Sequence, residues 1–312
     1  MIEIIARSEA MCEAVRLADR VAGTDANVLI TGESGVGKDA LAFYIHSRSA
    51  RATQSFVKID CATLPSGLLE AELFGYERGA FTGAGEEKPG RLEASHRGTL
   101  VLDEIAYLSV DSQAKLLRVI ETREFERLGG RKLIKVDARL IALTNVDLGD
   151  AVKRRQFRED LYYRLNVVHI NVPPLRERAD DLPELAQAFA RVYAAKHGRQ
   201  VGDVSAEALA LLSAYEFPGN VRELANTVER AVIVSSARRI EVDDLPDPIR
   251  AAVRVQQHRL KPQTLAEVEA EYVAEILAVA NGNKTEAARL LGISRKGLHE
   301  RLARKERTND EL

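Results

Sequence analysis

Seven residues near the start of the chain narrow the choice of fold more than any other feature. Gly32-Glu33-Ser34-Gly35-Val36-Gly37-Lys38 follows the apolar run Asn27–Thr31 and opens the amphipathic run Lys38–Ser47. A strand, a glycine-rich turn ending in Lys and then a helix is the context in which backbone N–H groups wrap a phosphate. The glycines let those N–H groups turn inward, the helix N-terminus adds its dipole, and Lys38 brings a point charge to the outer phosphates. All seven, with the neighbouring Asp39, are therefore candidate nucleotide contacts. Asp39 stands where most such loops carry Ser or Thr to touch Mg2+. The metal is expected to lean more on phosphates, water and another carboxylate.

That carboxylate is expected to be Asp103. Leu100-Val101-Leu102-Asp103-Glu104 reads as an apolar strand ending in two acids. Asp103 would hold Mg2+ through water and Glu104 would polarise the attacking water, because phosphoryl transfer is mostly positioning and charge neutralisation. Thr144 and Asn145 close another apolar run, where a polar residue can sense the outermost phosphate, although Thr-Asn after a strand is more often a turn.

Strand patterns at Asn27–Thr31, Phe56–Asp60, Thr99–Leu102, Arg139–Thr144 and Val167–Val172 alternate with helical ones such as Lys38–Ser47 and Asp111–Glu121. This alternation predicts an α/β layered fold with a mainly parallel sheet. After Pro173-Pro174 the pattern becomes helical: Asp181–His197, Ser205–Tyr215 and Asn220–Ser235, with starts at Ser205 and at Pro218-Gly219-Asn220. Three prolines between Asp243 and Pro262 mark a linker. The expected layout is an α/β subdomain over 1–173, a helical subdomain over 174–243, a linker over 244–263 and a last unit over 264–312. Cys12 and Cys61 are too few for a disulfide framework and read as reduced thiols of a cytoplasmic protein. No apolar stretch is long enough to span a bilayer, so no membrane partner is expected.

Glu72-Leu73-Phe74-Gly75-Tyr76-Glu77-Arg78-Gly79-Ala80-Phe81-Thr82-Gly83-Ala84 contains GAFTGA, the signature of sigma-54-dependent transcriptional activators, the bacterial enhancer-binding proteins. The chain resembles that family also at Gly32–Lys38, at Phe157–Asn166, at Pro173-Pro174-Leu175-Arg176-Glu177-Arg178 and at Pro218-Gly219-Asn220-Val221-Arg222-Glu223-Leu224. The resemblance implies an AAA+ P-loop NTPase domain with a helical lid over about 1–245 and a Fis-type helix-turn-helix over about 264–305. It implies ATP and Mg2+ as ligands, Asp103 and Glu104 as the Walker B pair, and Thr144 and Asn145 as sensor I. Arg158 and Arg164 look like arginine fingers reaching a neighbouring subunit's site, and Arg222 looks like sensor II. A planar guanidinium that stays charged suits these tasks. Fingers supplied in trans imply a homo-oligomer, dimer to hexamer.

Gly79, Ala80, Phe81, Thr82, Gly83 and Ala84 read as a flexible loop tip that presents Phe81 and Thr82 to a partner. In the family that partner is sigma-54 in the RNA polymerase holoenzyme. Asp60 departs from the family's usual Asn, which switches the catalytic Glu; an ionised Asp60 is expected to repel Glu104. Phe217 replaces the usual Trp and is expected to alter packing only.

From Lys284 to Arg307 there are eight Lys or Arg against three Glu. Thr264–Ala280 reads as an amphipathic helix and Lys284–Leu291 as a short one. Gly292-Ile293-Ser294 is the turn, and Arg295–Arg304 the recognition helix. Ser294, Arg295, Lys296, His299 and Arg301 are the candidates for contact with double-stranded DNA in the major groove, on a palindromic site. Gly297 inside that helix costs about 1 kcal/mol relative to Ala. The motor pattern starts almost at Met1 with no receiver domain before it, which leaves two sources of control open: a regulatory protein acting in trans, or a sensor segment outside this sequence. Two rival functions share parts of this pattern. A repressor on the same fold is disfavoured by the intact GAFTGA loop, acidic pair and fingers. A general AAA+ unfoldase is disfavoured by the helix-turn-helix.

Overall fold

The computed structural model describes residues 4–251 and, beyond them, 269–270, 272–274, 276–277, 280, 282–298 and 302. The chain divides into two compact units, Met1–Pro246 and Asp247–Leu312.

The first unit is built on five parallel strands: β1 (Val28–Thr31), β2 (Phe56–Asp60), β5 (Thr99–Asp103), β8 (Arg139–Thr144) and β9 (Val168–Asn171), in the order β2-β5-β8-β1-β9. Burial explains their composition. Every residue of β8 is buried, and β5 is buried up to Asp103. Strands covered on both faces need continuous apolar runs, whereas the edge strands β2 and β9 keep polar positions. The strands foreseen in the sequence are present to within a residue at each end.

Two apolar layers enclose this sheet. One packs α1 (Glu9–Ala22) and α2 (Lys38–Ser47) through Ala18, Val21, Leu41 and Ile45 onto Ile30, Val101 and Ile141. The other packs α3 (Ser66–Phe74), α5 (Val110–Thr122) and α7 (Glu159–Leu165), with the short α4 (Arg91–Ala94) and α6 (Leu148–Lys153) between them in sequence, through Leu73, Leu116 and Leu161 onto Leu100, Leu102 and Leu140. Arg139, 1% exposed, donates to the carbonyls of Val21 (2.8 Å) and Ala22 (3.1 Å) and so caps the end of α1.

Two short antiparallel ribbons interrupt the sheet connections: β3 (Gly75–Tyr76) with β4 (Lys88–Pro89), and β6 (Glu124–Phe125) with β7 (Ile134–Lys135). Neither was legible in the sequence, because two-residue strands carry no periodicity.

The helical subdomain consists of α8 (Leu182–His197), α9 (Ala206–Ser213) and α10 (Asn220–Val234). Ser205 caps α9 by accepting from the N–H of Ala208, as its sequence context predicted. A parallel pair not foreseen, β10 (Asp203–Val204) with β11 (Arg239–Ile240), ties the subdomain together. The segment 244–263, expected to be a linker, instead opens with a 3-10 turn ending at Asp244 and a helical stretch at 247–251. Leu245 and Ile249 are buried there, so prolines at 246 and 248 mark a helix start rather than a solvated tether. Residues 252–263 lie outside the described residues.

In the second unit Val273, Ala287, Ala288 and Leu298 form a small core. The helix Lys284–Leu290 starts at Asn283, whose side chain accepts from the N–H groups of Thr285 and Glu286. The turn at Gly292 takes φ +68°. Ser294 then accepts from the N–H of Gly297 (3.0 Å), capping the helical residues 295–298 as expected.

Candidate functional site

The loop between β1 and α2 is held from the helical subdomain. Gly35 has φ +80°, and a Cβ there would sit 2.4 Å from the carbonyl oxygen of Gly219 and 3.1 Å from Cβ of Arg222. The start of α10 is thus pressed against the loop, and only Gly fits between them. The N–H of Arg222 donates to the carbonyl of Gly35 (3.2 Å), and its Nη1 donates to Oγ of Ser34 (2.9 Å). Asn220 donates to Glu33 (3.0 Å) and to the carbonyl of Ser34 (3.1 Å), while its oxygen accepts from the N–H of Leu175. Arg176 grips Glu33 with both guanidinium arms, at 2.9 and 2.6 Å. The fork of Arg176, with the Asn220 amide second, pulls the Glu33 carboxyl down from 4.5 to about 2.

Arg178, 3% exposed, reaches the same loop from behind by donating to the carbonyl of Val36 (2.6 Å). Its charge faces the fully buried Asp181 at 4.0 Å. Asp181 in turn accepts from the N–H groups of Arg7 (2.5 Å) and Ser8 (2.8 Å) and from the Ser8 hydroxyl (3.2 Å). One buried carboxylate therefore joins the start of α1, the phosphate loop and the entry to α8.

The acids stand where parallel strands deliver them. Asp103 ends β5 in register with Asp60, the last residue of β2. Glu104 follows with φ +50°, a left-handed turn that swings it across the loop. Its carboxylate lies 3.8 Å from Nζ of Lys38 and accepts from the N–H of Asn145 (3.2 Å). Lys38 is 7% exposed and also donates to the carbonyls of Gly32 and Glu33. Burial pushes its ammonium pKa down, opposed by the charges of Glu104, Asp103 and Asp39. Lys38, Asp103, Glu104 and Asn145, spread over more than a hundred residues of sequence, thus share one strand edge. Thr144, fully buried, instead turns its hydroxyl back to accept from the N–H of Val146.

Lys58, not foreseen as a site residue, bridges Asp39 (2.6 Å) and Asp103 (2.8 Å). The signal available was a lone cation in the apolar run Phe56–Ile59, on the same face as Asp60 by the period of two. Asp60 folds onto its own turn, accepting from the N–H of Ala62 (2.8 Å). Two carboxylates that converge on an ammonium group fit a hard cation, and Asp103 and Asp39 would hold Mg2+ here.

Arg158 precedes α7 and pairs with Asp160; Arg164, in its last turn, lies 3.6 Å from Glu121. Among the described residues neither side chain contacts the phosphate loop of its own chain. Gly79–Ala84 lies between β3 and β4. The N–H of Gly79 donates to the carbonyl of Ala84 (2.8 Å), and Ala84 is buried, so the tip is a closed turn. Phe81 remains 41% exposed, edge-on to Tyr76 at 4.9 Å, and Thr82 is exposed. The β6–β7 ribbon backs this tip. The N–H of Glu77 donates to the carbonyl of Leu128, and Arg127 forks onto Glu93 at 2.8 Å in each arm. Arg127 also reaches Glu77 and Glu87.

Phe217 is fully buried, packs edge-on to Tyr215 and takes φ +48°, a core position. Arg295 and Lys296 lie on the helical residues after Ser294, whereas His299 and Arg301 lie outside the described residues. Cys12 and Cys61 are free thiols. Among the described residues no helix is long and apolar enough to cross a membrane.

A parallel sheet with this loop, an acidic strand end and a helical lid pressed on the loop defines a P-loop NTPase of the AAA+ type. The sequence matches the sigma-54 interaction domain over residues 4–171, the AAA+ ATPase lid domain over 176–262 and the Fis family of bacterial regulatory proteins over 264–304. The chain belongs to the family of sigma-54-dependent transcriptional activators. It is 45% identical to the regulatory protein AtoC of Escherichia coli over 95% of its own length and 66% of the relative's. It is likewise 45% identical to the transcriptional regulatory protein FlbD of Caulobacter vibrioides, over 96% and 69%. For the formate hydrogenlyase transcriptional activator FhlA of Escherichia coli the identity is again 45%, over 97% and 44%. The chain thus spans between 44% and 69% of the length of these curated relatives. Among solved structures, NtrX from Brucella abortus in complex with ATP superposes with a TM-score of 0.71 at 36% identity, over 97% of this chain and 69% of that one.

Proposed function

We propose that this protein hydrolyses ATP between adjacent subunits of a ring and uses the resulting motion to press Phe81 and Thr82 against sigma-54 RNA polymerase. The observation that carries the reading is the convergence of Lys38, Asp103 and Glu104 beneath a lid that contributes Arg222. NtrX from Brucella abortus was solved with ATP and with ADP, which supports nucleotide binding by this chain.

In this reading the N–H groups of Gly32–Asp39 and the ammonium of Lys38 bind the phosphates, and Arg222 reaches them from the lid. Mg2+, when bound at Asp103 and Asp39, adds positive charge to the outer phosphates. Glu104, fixed by the N–H of Asn145, orients water for attack on the terminal phosphorus and accepts its proton. The terminal P–O bond breaks toward the leaving diphosphate. Arg158 and Arg164, free of their own loop, reach the neighbouring subunit's nucleotide. The Ser294-capped helix, with Arg295, Lys296, His299 and Arg301, binds a palindromic DNA site as a dimer. The work is done in the cytoplasm.

The test is open-complex formation on a sigma-54 promoter with ATP. Thr82→Ala is expected to lose open complexes while retaining ATPase activity, and Arg158→Ala to bind ATP without turning it over. Wild-type activity of Thr82→Ala in opening DNA contradicts the role of the tip, and normal turnover by Arg158→Ala contradicts the finger.

A further inference from the structure

Asp39 poses a problem that the phosphate loop alone does not solve. Asp39 puts a carboxylate in the first turn of α2, directly after the loop that would receive a nucleotide's negative phosphates. Asp103 and Glu104 already crowd the same strand edge. These three carboxylates meet two ammonium groups. Lys38 is 3.8 Å from Glu104, whereas Nζ of Lys58 sits between Asp39 at 2.6 Å and Asp103 at 2.8 Å. Both Lys58 contacts are charge-assisted hydrogen bonds at short range, about twice as strong as neutral ones. Lys58 comes from β2, not from the loop or from the acidic strand. Its ammonium is reached by the register that sets β2 beside β5.

We infer that Lys58 is a built-in counter-cation of the nucleotide site. It neutralises Asp39 and Asp103 until the metal takes its place between them, and lets phosphates bind the loop even when the metal is scarce. The inference deepens the proposed nucleotide-binding role and rests on it. Lys58 is a positioning residue, since it acts through Asp39 and Asp103 rather than on the reacting atoms. Two consequences follow from the charges. Without Lys58 the two acids repel the diphosphate unless a divalent cation takes its place, so nucleotide binding becomes metal-dependent. Removing the charge of Asp39 as well removes the need for Lys58.

The test is calorimetric titration of the full chain with ADP, in EDTA and in saturating Mg2+. Lys58→Met is expected to weaken ADP binding about tenfold in EDTA and by less than about threefold in Mg2+, the size of one lost charge-assisted bond. Lys58→Arg, and Asp39→Ser on the Lys58→Met background, are expected to restore metal-free binding. An equal loss in EDTA and Mg2+, no loss in EDTA, or failure of both restoring changes overturns the inference. If the wild-type chain binds ADP in neither condition, the nucleotide-site reading itself fails and the inference falls with it.

Discussion

Removing the carboxylate of Asp181 leaves a buried cation behind. The side chain is fully enclosed, accepts three hydrogen bonds from Arg7 and Ser8, and is the charge that faces Arg178. Arg178 is 3% exposed and its Nε already has no partner, so it cannot turn to water when Asp181 is lost. Breaking a buried pair by deleting one partner costs about 3–5 kcal/mol, most of it the uncompensated charge that remains. Asp181→Ala is therefore expected to lower unfolding free energy by about that amount. The double variant Arg178→Met with Asp181→Ala removes the stranded charge, and its cost should fall short of the sum of the single costs by about 1–3 kcal/mol. Urea unfolding at neutral pH, followed by far-ultraviolet circular dichroism, measures all three. Should Asp181→Ala not fold, Asp181→Asn keeps an acceptor for Ser8 and gives the same comparison at lower cost. A single-variant cost under about 1 kcal/mol, or strictly additive costs, refutes the argument that this pair is a buried, mutually dependent unit.

Two further outcomes are expected. Gly35→Ala adds a methyl 2.4 Å from the Gly219 carbonyl at φ +80°. It should push α10 off the loop, cost about 2–4 kcal/mol and abolish nucleotide binding; retained binding in a fluorescence titration shows the lid contact to be dispensable. Glu33 carries a carboxyl held at about 2 by Arg176 and Asn220, well below its ordinary 4.5. A depressed carboxyl contributes stability that is fully present above its unfolded-state pKa and is lost as pH falls toward the folded value. Because Glu33 is 44% exposed, screening reduces that contribution to about 1 kcal/mol. Glu33→Gln should be less stable than wild type at pH 7, and the difference should shrink between pH 5 and pH 3; a difference that does not vary with pH counts against the Arg176 fork.

Local chemistry made much of the molecule legible. The strand runs around Val28–Thr31 and Arg139–Thr144, the glycine pattern of Gly32–Lys38 and the acids after Leu102 each carry their meaning within a few residues. Periods of 2 and 3.6, caps and turns are short-range properties of the chain. The short ribbons around Phe81 escaped notice for the converse reason: Gly75–Tyr76 and Lys88–Pro89 pair across a loop, and neither strand is long enough to show a period. The helical start at 247–251 escaped because prolines at 246 and 248 read equally well as breakers and as first-turn residues.

By itself the sequence determined the layered α/β class, the phosphate loop, the acidic strand end and the GAFTGA tip. Tertiary structure alone decided that Arg176 and Asn220 grip Glu33 from 143 and 187 residues away. It also decided that Asp181 anchors Ser8 across 173 residues, and that Lys58 stands between Asp39 and Asp103. Those partners are chosen by strand order and by the docking of α10 on the loop. An isolated charge in a sequence has no local pattern to say which opposite charge the fold will set against it.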